Sequence, residues 1–381
     1  MSALPLSLYV HLPWCVRKCP YCDFNSHSAP EGAPTSRYVD ALLGDLEAEA
    51  DRARDRKVDT VFLGGGTPSL FSPNEMARLL DAVAMHFDLS ESAEITMEAN
   101  PGTVEFGSPR GYREAGINRL SLGAQSFNDD MLGRLGRIHS SSDVRRAYEH
   151  AIAGGFDNIN IDLMHGLPGQ TVASAESDLR AAIELGPAHI SWYQLTLEPN
   201  TVFHARPPDD LPDEETAWAI QDAGATLLEA NGYEQYEVSA WARDQHRCRH
   251  NVNYWLFGDY LAVGAGAHGK ITGDGRIVRY YKPLNPLQYM QMIESGGAGA
   301  APKPLDETDL VFEFMLNALR LVDGFEEQLF VTRTGLGEEV LEAAAADALA
   351  KGLLERTGDH MWRPTLLGRR FLNDLQAGFL R

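Results

Sequence analysis

Six short strand-like runs, each leading into a helix-patterned segment, constrain this chain more than any other feature. LSLYVHLP leads into SRYVDALLGDLEAEADRAR, and DTVFLGGG into NEMARLLDAVAMHF. EITMEANPG, NRLSLGAQS, NINIDLMHGLPG and HISWYQLTLEPN continue the series, with DVRRAYEHAIAGG and SAESDLRAAIELG among the intervening helices. Such an alternation predicts a parallel α/β architecture, barrel-like or doubly wound. Each of the six runs ends in a loop of unusual residues: a cysteine loop, GGGTPS, EANPG, GAQSF, DLMHGLPG and TLEPNT. Barrels carry their chemistry at the C-terminal ends of parallel strands, whereas open sheets gather it at one switch point. The expected fold is therefore a partial, TIM-like (β/α)6 barrel, with a weaker seventh strand signal at YEQYEVSA.

The texture changes near residue 300. GGAGAAPKPLDET reads as a linker, followed by the helices DLVFEFMLNALRLVDG and EEVLEAAAADALAKGLL, a hairpin at LLERTGDHMWRPT and a short helix LLGRRFLNDL. The expected domains are residues 1–300, the barrel with its site, and 301–381, a mainly helical, winged-helix-like unit. That unit carries more acidic than basic side chains, so it reads as a structural or partner-contacting appendage rather than a DNA-binding one.

Three of the chain's four cysteines, Cys15, Cys19 and Cys22, fall in one loop, C-x3-C-x2-C. Clustered thiols outside a disulfide framework point to metal or catalysis. A structural zinc site wants four ligands, and His11 or His27 can supply the fourth, but zinc cysteines usually come in two separated pairs. Redox chemistry at Cys19–Cys22 lacks the thioredoxin setting. Three thiolates suit an iron–sulfur cluster with one iron left open to a small molecule.

The bulk properties set the remaining bounds. A net charge of −21 disfavours nucleic acid as a partner. No apolar run reaches the roughly 18 residues of a membrane span, and the N-terminus lacks the pattern of a secretory signal, so the expected location is cytoplasmic.

YVHLPWCVRKCPYCDFNSH, GGGTPS, EANPG, RLSLGAQSF, GRIHS, NIDLMHGLPGQT and SWYQLTLEPNT together resemble the anaerobic coproporphyrinogen III oxidase-like family of the radical S-adenosylmethionine superfamily. Within it, the pattern is similar to the HemW-type haem-chaperone branch. The resemblance implies a 4Fe–4S cluster on Cys15, Cys19 and Cys22. It also implies S-adenosylmethionine chelated at the open iron through its amino and carboxylate groups, and one-electron cleavage of its sulfonium to a deoxyadenosyl radical. Gly65, Gly66 and Thr67 then receive the cofactor's amino group, although a glycine run by itself can simply make a turn. Glu98, Gln125, Arg137 and Asp162 match cofactor-contacting positions, and Tyr9 matches one lying against the bound cofactor. Asp162 sits in an apolar strand and needs a partner, such as a ribose hydroxyl or a basic group.

CRHNVNYW carries the HNxxYW pattern, which resembles the branch's haem signature. His250 is the candidate axial ligand, with His268 and Cys248 as alternatives; the bland reading is a capped helix start with buried aromatics. The branch implies haem as cargo and acceptor haemoproteins, respiratory and membrane-bound ones included. It further implies an electron donor for the cluster and a peripheral membrane location reached through such a partner. Phe24 stands where the oxidases of the family have an additional cysteine, and Cys15 lies nearer the N-terminus than in those oxidases. Both features favour a haem chaperone over the alternative, a radical enzyme decarboxylating coproporphyrinogen III.

Overall fold

The computed structural model describes residues 4–53, 56–102, 108–297, 299–358 and 360–380. Residues 1–3 of the N-terminal reading, Arg54 at the end of the first helix, Ala298 in the linker and Asp359 at the hairpin tip lie outside them.

The six expected strands all form: β1 (Leu6–Leu12), β2 (Val58–Gly65), β3 (Leu89–Ala99), β4 (Arg119–Gln125), β5 (Ile159–His165) and β6 (His189–Gln194). They pair in parallel in chain order, and the crossovers carry helices such as Thr35–Ala53, Pro73–His86, Ser141–Ala153 and Val172–Leu185. Capping boxes at Ser72, Ser140 and Thr171 start three of these helices by satisfying orphan N–H groups. The result is the partial (β/α)6 barrel the alternation predicts.

The seventh strand signal is corrected. YEQYEVSA spans β7 (Glu234–Glu237) and leads into β8 (Ala240–Ala242), a tight hairpin whose second strand pairs antiparallel with β6. A two-residue turn cannot make a parallel crossover, which needs a dozen residues or more. The seventh parallel strand is instead β9 (Asp259–Val263), on the far side of β1. Beyond it lie β10 (His268–Gly273), β11 (Arg276–Tyr281) and β12 (Lys303–Pro304), giving the twelve-stranded order β12-β11-β10-β9-β1-β2-β3-β4-β5-β6-β8-β7. The stretch read as a linker thus contributes an edge strand to the main sheet.

The C-terminal unit holds helices Glu307–Ala318, Glu327–Thr334 and Glu338–Ala350 around a three-stranded sheet that includes the expected hairpin, Leu354–Thr357 with Met361–Pro364. The expected last helix is broken at Phe371 into Leu366–Arg370 and Leu372–Ala377. Its core of Phe314, Phe330, Leu341 and Trp362 also takes in Phe257 and Ile277 from the barrel side. No helix among the described residues is long and apolar enough to cross a membrane.

Strand parity decides what the barrel encloses. On β1, Leu6, Leu8, Val10 and Leu12 face outward into the helix layer, as do Val61 and Leu63 on β2 and Leu120 and Leu122 on β4. The opposite parity is polar: Ser7 and His11, Glu94 and Glu98, Arg119 and Ser121, Asn160 and Asp162, His189 and Ser191. These side chains bond one another across the lumen, Asn160 Nδ2 to Ser121 Oγ at 2.7 Å and His189 Nδ1 with Asn160 Oδ1 at 2.6 Å. An ordinary barrel fills this space with branched apolar side chains; this one keeps it polar.

A second buried network ties the first helix to the strands beyond β1. Lys282 Nζ donates to Asp45 Oδ1 at 2.6 Å and Glu49 Oε1 at 2.8 Å, and the Tyr289 hydroxyl donates to Asp45 Oδ2. Lys282 is 0% exposed. Lys282→Met should therefore cost about 3–5 kcal/mol at neutral pH, because buried Asp45 loses its cation and Glu49 is left with Arg52 alone. Urea unfolding at pH 7 and pH 4.5 checks this, with a smaller loss expected in acid, where Asp45, its carboxyl pushed up by burial, takes up a proton.

Candidate functional site

The strand-end loops enclose one cavity of about 510 Å³. Ten of the twelve residues expected at the site line it: Cys15, Cys19, Cys22, Gly65, Gly66, Thr67, Glu98, Gln125, Arg137 and Asp162.

The cysteine loop is fixed by the glycines of β2. Gly65 has φ +113°, and a Cβ there would run into the His11 ring; a Cβ on Gly66 would lie 2.6 Å from the Trp14 carbonyl oxygen. The glycine run therefore lets β2 press against the chain entering Cys15. Thr67 N and Gly66 N donate to Trp14 O and Leu12 O, both at 2.8 Å, and His11 Nε2 bonds Asn25 O at 2.9 Å from the other side. Lys18 Nζ donates to the Phe24 and Ser26 carbonyls, closing the loop on itself.

Arg137 reaches this loop from the segment after β4. It donates to Cys19 Sγ at 3.6 Å, Asn100 Oδ1 at 2.6 Å and Gly123 O at 2.8 Å. Asn100 passes the contact on by donating to Thr67 Oγ1 at 2.9 Å, which joins the GGGTPS and EANPG loops. Among the described residues no three Cys, His, Asp or Glu side chains converge as ligands of one metal ion. Thiolates that each hold a different iron of a cluster need no common point, so three thiols around one cavity suit that donor set.

Two carboxylates face each other farther in. Glu98 Oε2 accepts from Gly65 N at 3.0 Å. Burial first, then the Asp162 charge, push Glu98 up to about 7. Asp162 accepts from Ser121 Oγ and Asn160 Nδ2, both at 2.8 Å. Its parity is inward, so these partners come from the polar lumen, with the Arg119 charge acting from the same side. Gln125 ends β4 with φ +69°, next to a break in the β4–β5 register, and accepts from the Tyr193 hydroxyl at 2.7 Å. A left-handed non-glycine residue beside a bulge is how a fold re-aims a side chain into a site.

Tyr9 and His250 lie behind the cavity wall. The Tyr9 hydroxyl bonds His11 Nδ1 at 3.0 Å, and its ring stacks on Phe62. His250 is 1% exposed, with Nδ1 bonded to Thr60 Oγ1 at 2.8 Å and Nε2 to the Tyr254 hydroxyl at 2.9 Å. Because the Thr60 hydroxyl donates to Ser7, Nδ1 carries the proton and Nε2 accepts from Tyr254. Burial holds the imidazole down at about 3, so it is neutral. Its helix neighbours Asn251 and Trp255 do line the cavity. Cys248 is buried, its thiol pushed up to about 11, and His268 stacks on Tyr281 away from the cavity.

Sequence reasoning missed Asn100, Tyr193, Ser121 and Ser191 at the wall, all within quoted strands or strand ends. Inward parity was the signal that could have found them. It also missed Arg320 of the C-terminal unit, for which no such signal exists.

Glu98 gives a test that needs no cofactor. A carboxyl raised from 4.5 to about 7 stabilises the fold fully below 4.5. That contribution is lost as pH rises to about 7, by roughly 3 kcal/mol in all. Urea melts of the cofactor-free protein should show this decline between pH 4.5 and pH 7, and Glu98→Gln should flatten it.

The Radical SAM superfamily matches residues 9–182, and the HemN C-terminal domain matches residues 305–371. Heme chaperone HemW of Escherichia coli K12 is 49% identical over 377 residues, covering 99% of this chain and 98% of the relative. Heme chaperone HemW of Bacillus subtilis is 32% identical over 381 residues, covering 98% and 99%. Among solved structures, the coproporphyrinogen III oxidase HemN from E. coli, described as a radical SAM enzyme, superposes with a TM-score of 0.82. That match has 25% identity and covers 99% of this chain and 90% of the oxidase. Full-length identity at this level, on the same barrel and C-terminal unit, places the chain in the HemW haem-chaperone family of the radical SAM superfamily.

Proposed function

We propose that the protein binds haem and hands it to acceptor haemoproteins, with a 4Fe–4S cluster and S-adenosylmethionine in the same molecule. One observation carries the reading: the helix Arg249–Trp255, which bears the HNxxYW pattern, puts Asn251 and Trp255 on the wall of the cavity that the three cysteines line. Family membership supports haem as the cargo.

Cys15, Cys19 and Cys22 would hold the cluster, leaving one iron open. When bound and reduced, such a cluster supplies one electron to the sulfonium of S-adenosylmethionine. The chain's own residues do the rest of the holding. Arg137 lies against Cys19, and Glu98 offers a carboxylate to an amino group while keeping the glycine loop in place. Asp162 is preset by Ser121 and Asn160 to accept from a hydroxyl.

His250 is the proposed axial ligand of haem. Its imidazole is neutral, and the Nδ1–H bond to Thr60 leaves Nε2 as the metal-binding nitrogen. Engagement requires the Tyr254 hydroxyl to leave Nε2. A second reading, coproporphyrinogen oxidation, draws on the structural likeness to the oxidase. Against it, Phe24, 57% exposed on the cavity wall, stands where those oxidases carry a further cysteine.

Three outcomes are expected. Anaerobic reconstitution followed by iron and sulfide analysis should find the cluster lost in Cys19→Ala and retained in Cys248→Ala. His250→Leu should alter the haem absorption spectrum and lower affinity by about tenfold or more, while Tyr254→Phe should keep the wild-type spectrum; an unaltered His250→Leu spectrum would move the ligand elsewhere. The direct test of function is transfer: haem-loaded protein mixed with an apo-haemoprotein should yield holo-acceptor faster than haem on serum albumin does. Equal rates would count against a chaperone.

A further inference from the structure

The C-terminal unit touches the cavity through Arg320, and the contact is built rather than incidental. Its backbone is stitched to the barrel edge: Val238 N donates to Arg320 O at 3.0 Å, Val322 N donates to Tyr236 O at 3.2 Å, and Glu237 bridges Leu321. The guanidinium lies over the Trp255 ring, 4.3 Å from its centroid. Backbone pairing and stacking together hold a long cationic side chain in one place, which a solvated surface arginine lacks.

The hydrogen bonds there are incomplete. A guanidinium has five N–H donors. Among the described residues the acceptor for Arg320 is Glu237, whose Oε2 takes one bond at 3.0 Å while its Oε1 accepts from Ser239 N. Arg320 Nε is buried without a partner, and so is Trp255 Nε1 in the ring beneath it. Buried donors without acceptors are costly and are met in native proteins by water or ligand. The side chain is still 28% exposed, and it shares the cavity wall with Trp255 and Asn251. A donor-rich corner anchored by a planar cation matches a carboxylate, which an arginine fork can bind through two oxygens.

We propose that Arg320, with Trp255 Nε1–H beside it, forms a carboxylate-binding subsite for a propionate of the bound tetrapyrrole, so that the C-terminal domain completes the cargo site. The identity of the ligand rests on the haem reading above; the subsite itself rests on the donors at the seam. Glu237 holds the guanidinium in place before cargo arrives and shares it afterwards. Arg320 is thus a specificity residue for a carboxylate-bearing macrocycle, separate from the axial contact at His250.

The test compares haem with its dimethyl ester, which keeps the iron and ring but has no free propionate. Both are titrated anaerobically into the reconstituted full-length chain and followed by difference absorption. The wild type should bind haem at least tenfold more tightly than the ester. Arg320→Gln should bind haem no better than the wild type binds the ester, with ester affinity unchanged, so the ester also reports an intact fold. Arg320→Lys should recover part of the discrimination. Trp255→Phe, which keeps a ring under the guanidinium but removes the N–H, should lose affinity for haem alone. Equal wild-type affinity for the two ligands, or full discrimination in Arg320→Gln, overturns the subsite and leaves the haem reading standing. Binding of neither ligand overturns both.

Discussion

Polar groups sealed inside a parallel sheet must satisfy one another or a ligand, and this requirement shapes everything around the barrel lumen. Ser121, Asn160, Asp162 and His189 bond across strands β4, β5 and β6. Replacing such a network with branched apolar side chains would give a tighter core and no site. Keeping it leaves a cavity whose wall already presents carboxylate, hydroxyl and amide groups in fixed directions. The outward parity, with Leu8, Val10, Val61 and Leu122 packed against helices, supplies the hydrophobic burial that the lumen forgoes.

The cysteine loop depends on the same frame. Its approach to β2 is possible because Gly65 and Gly66 lack side chains where His11 and Trp14 pass. Arg137, Asn100 and Thr67 then link three strand-end loops by hydrogen bonds. A change in any of the three would be felt at Cys19, although none is a cysteine.

The strand order and the placement of ten site residues were legible because strand-end chemistry and a period of two are local signals. The edge of the sheet was not. YEQYEVSA has the composition of a strand, but its partner and direction are set by a tight turn, and DYLAV is a short run with no helix of its own to announce a unit. Asp162 was read as a carboxylate in an apolar strand, and parity resolves that: its neighbours Ile161 and Leu163 point out while it points in. His250 lies behind the wall because a linear motif does not say which side of a short helix meets a cavity, and Tyr9, on β1, spends its hydroxyl on His11. Arg320 lay beyond sequence reasoning altogether. It comes from a helix-patterned region joined to the cavity through the seam with β7 and the stack on Trp255.

Under the proposed function, this cavity receives a tetrapyrrole as cargo rather than as substrate. Cofactor cleavage in the absence of substrate would not discriminate, since generating a radical and turning over a tetrapyrrole are separable requirements. The decisive measurement is mass-spectrometric product analysis after anaerobic incubation of reconstituted protein with coproporphyrinogen III, S-adenosylmethionine and reductant. The prediction is recovery of the tetrapyrrole with all its carboxyl groups. Multiple turnovers with loss of two carboxyl groups would contradict it.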